Sequence, residues 1–157
     1  MYGAIVVDPL TPLPPADVSY VLVESEWYTQ QSEGTLMAGD YNKMLSATPD
    51  EMVFNGVAFQ YNDQPLTAKV GQRVRLYVVD AGPNLSSAFH IIGGIFAAVY
   101  PDGDPAHALT GVSTYPIAPG QGVVFDTILS QPGKYPIVDH SMRAMTIGAA
   151  GALQISP

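Results

Sequence analysis

Short apolar runs separated by turn residues recur along the whole chain, and the spacing within each run is that of a strand. Residues 18–28 (VSYVLVESEWY) alternate so that Tyr20 and Leu22 share one face and Val21 and Val23 the other. A polar, glycine-containing stretch follows over 29–40, then a predicted short helix over 41–46 that Pro49-Asp50 ends. Residues 52–56 read as a strand running into a turn, and 66–70 and 73–80 as two more, split by Gly71-Gln72. In the second of these, Val74, Leu76 and Val78 point one way while Arg73, Arg75 and Tyr77 point the other. Further strands are predicted over 87–92, 96–100, 112–117, 122–129 and 134–138, with turns at 81–84 and 101–105 and a closing strand at the C-terminal end. About ten short strands at this spacing predict an all-β fold, a Greek-key β-sandwich with at most one or two short helices.

The chain has 157 residues, enough for one domain with a real core and too few for two full ones. Hydrophobic residues make up 47% and charged residues 13%, which excludes a disordered chain or a coiled coil. Fourteen prolines and fifteen glycines punctuate the apolar runs, as turns between strands require. Fourteen acidic against six basic side chains leave a net charge of −8 and no basic stripe, so neither nucleic acid nor an anionic membrane surface is an expected partner. With no cysteine there is no disulfide framework, no thiolate ligand and no thiol nucleophile.

The two ends resemble each other. Gly3-Ala4-Ile5-Val6-Val7 and Gly151-Ala152-Leu153-Gln154-Ile155 both open with small residues and continue as a short apolar strand. A stiff, proline-rich run follows the first copy. Residues 1–15 are therefore expected to be the last strand of a preceding domain plus a linker, and 16–157 the domain that follows it.

Without cysteine, metal ligation falls to His, Asp, Glu and Met. His90 lies on a predicted strand and shares a face with Ala88 and Ile92; such a histidine is either a packed core residue or a ligand. His107 sits in a turn-rich segment and reads as a solvated loop residue. His140 follows Asp139 at a strand end, where adjacent side chains face opposite ways, so the carboxylate is not expected to orient the imidazole. Met142 and Met145, close to His140, read as capping core residues. Phosphate-binding, serine-nucleophile and metalloprotease motifs are all missing.

Four segments are more specific: VFNG (53–56), LTAKVGQRVRLYVV (66–79), AGPNLSSAFHIIGGIFAAVY (81–100) and PGKYPIVDHSMRAMTIGAAGALQI (132–155). Together they resemble the C-terminal cupredoxin domain of copper-containing nitrite reductases and related two-domain multicopper oxidases. The resemblance implies that His90 is the third imidazole of a type 2 copper, donated across a subunit interface of a homotrimer to two histidines of the neighbouring first domain. Three imidazoles with an open position suit a copper that binds a small substrate. Met1 matches the axial ligand of the first domain's type 1 copper, whose other ligands are not in this chain. Asp139 stands where copper-bearing domains carry the type 1 cysteine, and on that comparison His140 is structural. The family's proton-passing histidine is absent before Phe89, with Glu51 near its place.

The resemblance thus implies part of a copper oxidoreductase, inactive as an isolated chain, whose parent works in the periplasm or outside the cell with nitrite as substrate. A laccase-like multicopper oxidase that reduces dioxygen, and a metal-free cupredoxin-fold assembly module, are the alternatives. A ligand donated to a partner must lie on an apolar outward surface; a core histidine must be enclosed.

Overall fold

The computed structural model describes residues 3–157, so Met1 lies outside the described residues. Along the chain run β1 (Val18–Trp27), the hairpin β2 (Thr29–Gln31) and β3 (Met37–Gly39), α1 (Tyr41–Leu45), β4 (Glu51–Phe54), α2 (Gln60–Asp63), β5 (Leu66–Lys69) and β6 (Arg73–Asp80). Then follow β7 (Ser87–Ile91), β8 (Phe96–Pro101), a 3₁₀ turn (Pro105–His107), β9 (Thr114–Ile117), β10 (Gly122–Ile128), β11 (Gly133–Asp139), α3 (Met142–Thr146) and β12 (Ala150–Ser156). Ten of the strands form two five-stranded sheets, ordered β4-β1-β6-β10-β8 and β5-β12-β11-β7-β9. Within each sheet one pair is parallel, β1 with β6 and β12 with β5, and the rest are antiparallel.

The inward alternation of each strand fills the space between the sheets. Val74, Leu76 and Val78 of β6 are buried as the pattern predicts, against Leu22, Met52, Phe54, Ile137 and Leu153. Phe89 of β7 is the hub of an aromatic knot, with ring centroids 6.3 Å from Phe54, 6.1 Å from Phe96 and 4.9 Å from Phe125. Seating Phe89 and Ile91 inward turns the residue between them, His90, to the outside.

Three short helices exceed the one or two expected. The region of α2 has no apolar period; it closes over β12 because Gly151 leaves room, and a Cβ there would lie 2.5 Å from the Tyr61 Cβ. The third, α3, takes up part of the short segment between the last two strands. The β2–β3 hairpin also lies in a stretch read as merely polar, since its three-residue strands carry no buried face.

Residues 3–17 run without helix or strand. The Gly3–Val7 copy of the C-terminal pattern finds no strand edge among the described residues, and Ile5 and Val7 are 92% and 82% exposed. The segment instead skirts the outward face of β6 and β10, where Ala4 to Pro9 and Leu13 border a groove of about 620 Å³ with Tyr77, Val79 and Val124. Arg75 fastens it there: its guanidinium donates to the Pro14 carbonyl at 2.7 Å and forms a two-bond ion pair with Asp126 at 2.7 and 2.8 Å.

Candidate metal centre

The outward face of the second sheet carries the candidate chemistry. His90 is half-buried there, and its Nδ1 lies 2.6 Å from the Ser113 carbonyl oxygen and 3.1 Å from the Thr114 hydroxyl. A carbonyl only accepts, so Nδ1 carries the proton and Nε2 of the neutral ring keeps its lone pair. A metal-binding imidazole needs this kind of anchoring.

Beside it stands His140. The backbone N–H of His140 donates to the Ala88 carbonyl at 2.9 Å, extending the β11–β7 ladder by one residue. Its ring is exposed, makes no hydrogen bond within the described residues, and meets the His90 ring edge-on with centroids 5.3 Å apart and planes at 71°. His140 is therefore not a packed structural residue. Strand parity held the signal, since Ile137 and Asp139 point inward and Val138 and His140 outward; what parity could not supply is the long-range pairing that sets β11 beside β7.

The other expected positions are elsewhere. His107 is 76% exposed and pairs with Asp104 at 2.7 Å on the 3₁₀ turn. Glu51 opens β4, in the opposite sheet from His90. Met142, expected as core, is 63% exposed at the start of α3. Among the described residues no three His, Asp or Glu side chains form a group that could hold a metal ion, so the chain offers a pair of imidazoles and not a complete site.

Around that pair the surface is apolar and small. Ala88 and Pro116 face each other on β7 and β9, Ile92 follows at the strand end with 40% of its surface exposed, and Val138, opposite His90, is buried beneath the pair. His90 is thus on an outward apolar face and not enclosed in the core.

Under this face lies a layer of buried acids, Glu24, Asp80 and Asp139. Asp139 faces away from the imidazoles, and its Oδ1 accepts from the Ala88 N–H at 3.0 Å and the Ser141 N–H at 2.9 Å. Burial, and then the nearby Asp139, push the Glu24 carboxyl well above the ordinary carboxylate range. Asp80, which accepts from the Gly82 and Ser87 amides, is pushed up to about 6, chiefly by burial. Burial also raises the neighbouring Tyr28 hydroxyl to about 12, helped by its hydrogen bond to Glu26.

Comparison with known proteins agrees with this architecture. The multicopper oxidase family profile matches residues 18–154. A copper-containing nitrite reductase of Neisseria meningitidis is 40% identical over 99% of this chain, which spans 41% of that protein's length. A solved copper nitrite reductase from Nitrosomonas europaea superposes with a TM-score of 0.82 at 37% identity, over 92% of this chain and 50% of that one. One from Thermus scotoductus gives 0.81 at 27% identity, over 90% of this chain and 31% of the other.

Proposed function

The chain belongs to the multicopper oxidase family and folds as its cupredoxin-like sandwich, and from that premise we propose that it is the second domain of a copper oxidoreductase of nitrite-reductase type, supplying imidazole from its His90–His140 face to a type 2 copper shared with a neighbouring subunit. The observation that carries the proposal is the pair itself: an anchored imidazole and a free one, 5.3 Å apart, on an outward apolar face. Imidazole suits copper, and an incomplete ligand set on an apolar surface suits a site finished by another chain of a trimer. With no cysteine the chain supplies no thiolate, so a type 1 centre would rest on a preceding domain.

When bound, copper would supply one-electron reduction of a small ligand, with nitrite favoured over dioxygen because the three relatives above, which match 90% or more of this chain, are nitrite reductases. The protein's own part is ligation and proton supply. In the first reading His90 coordinates through Nε2, its Nδ1–H held by the Ser113 carbonyl. The unpartnered ring of His140 favours a second: His140 coordinates, and His90, as an imidazolium whose Nδ1–H is held by Ser113 and Thr114, offers the second proton at Nε2 to the bound anion.

Substoichiometric Cu(II) added to the isotope-labelled chain, followed by imidazole NMR, tests both readings. Both rings should broaden before His107 does. His90→Ala and His140→Ala then separate the roles, because removal of the ligand ring abolishes the effect on its neighbour and removal of the other ring does not. Broadening at His107 first, with the pair unaffected, would sink the assignment.

A further inference from the structure

We propose that Asp139 is a positioning residue for the His90–His140 pair: its buried carboxyl group ties the strand carrying one ring to the turn carrying the other. The proposal rests on the reading that this pair is the working site, and its geometry is independent of any metal. One oxygen, Oδ1, accepts both the Ala88 N–H, two residues before His90, and the Ser141 N–H, one residue after His140. Ala88 is thereby gripped twice from the end of β11, at its N–H by Asp139 and at its carbonyl by the His140 N–H. The Ser141 bond is an Asx-type turn that bends the chain out of β11 directly after His140. Without it, only the His140–Ala88 bond would hold the chain beyond the Val138–His90 and Asp139–Phe89 pairs, and strand ends fray.

Glu24 supports Asp139 from behind. As a carboxylate, fully buried Glu24 would have an Oε1 with no donor; as the neutral acid that burial favours, it can donate to Asp139 while Oε2 accepts from the Ser87 hydroxyl at 2.5 Å. Asp139 is 1% exposed and so is shielded from competing water. A side chain that was only a core filler would not need an acceptor aimed at two amides on two elements. The position demands a carbonyl-type oxygen, which Asn also has and Ala lacks.

The test uses the full chain without metal. The readout is the nuclear Overhauser contact between the His90 and His140 rings, with the amide spectrum of the first sheet as a fold control. Asp139→Ala is expected to lose the ring-to-ring contact and the slow hydrogen exchange of the Ala88 and Ser141 amides, while first-sheet resonances hold their positions. Asp139→Asn is expected to restore both. An intact contact in Asp139→Ala, or its loss in a folded Asp139→Asn, overturns the proposal. If the alanine variant does not fold, the wild type and Asp139→Asn decide: fast exchange at Ala88 and Ser141 in either one overturns it. Cu(II) titration of the same samples is read separately, so an intact strut with no copper response would count against the metal reading alone.

Discussion

Asp126→Ala is expected to cost about 3–5 kcal/mol of folding stability, the range for removing one partner of a buried ion pair. Asp126 is completely buried on β10 and receives the two-bond clasp of Arg75, itself 7% exposed, with Arg73 adding a longer contact at 3.3 Å. Truncation leaves the Arg75 guanidinium in a low-dielectric seam with only the Pro14 carbonyl as a strong partner. Arg75→Met should cost a similar amount, because Asp126 would keep only the longer Arg73 contact. The double replacement Arg75→Met with Asp126→Ala should cost less than the two singles together, since no buried charge is stranded. Urea denaturation of the four proteins measures the cycle. Additive losses would mean that the pair is not coupled and that packing alone explains each single. A second readout is local: cleavage in the 9–14 segment should accelerate in Arg75→Met, because the guanidinium is what fastens Pro14 to β6.

That clasp also marks where the sequence stopped being readable. The alternation of β6 showed that Arg73, Arg75 and Tyr77 turn away from the core, and they do. It could not show that residues 3–14 lie over this face and bury Arg75, because that contact links positions 61 residues apart and leaves no local period. The ladder strands were legible because each has a face that must be buried. The β2–β3 hairpin and α2 were not, since neither has such a face and both are held by what surrounds them. The site divides in the same way. The parity of β7 put His90 on one face with Ala88 and Ile92, and the parity of β11 separated Asp139 from His140. The meeting of the two rings required knowing that β7 pairs with β11 in the register Val138 to His90; the family comparison, with Asp139 in the place of a cysteine, had left His140 as a structural residue. Function in such a sandwich sits at strand ends and outward faces, where local pattern is weakest and long-range pairing decides which side chains meet.

The protein is expected to lose stability as pH rises from about 4 to 8, the reverse of a fold held by ionised carboxylates. The sign follows from the buried acids. Asp80 moves from its ordinary 3.8 up to about 6 in the folded state, so between those values the folded protein holds a proton that the unfolded chain has released. Its contribution is full below the unfolded value and is lost as pH passes the folded one. The shift corresponds to about 3 kcal/mol, an order-of-magnitude figure at 1.36 kcal/mol per pKa unit. Glu24 is raised for the same first reason, burial, and adds to the loss in the same direction. Asp50 and Asp104 are lowered by the hydrogen bonds they accept and oppose the trend, but they sit at the surface, where such effects are small. Self-repulsion of a chain with net charge −8 also weakens the fold as pH rises, yet that part is screened by salt and the buried part is not. Urea midpoints across this pH range, at low and at molar salt, therefore separate the two. Glu24→Gln is the sharper control: glutamine can still accept from the Ser87 hydroxyl and donate to Asp139, but it has no proton to lose. The variant should match the wild type near pH 4 and exceed it near pH 8. Equal slopes in the two proteins at high salt would show that Glu24 is ionised in the folded state, and a different group would then have to satisfy its Oε1.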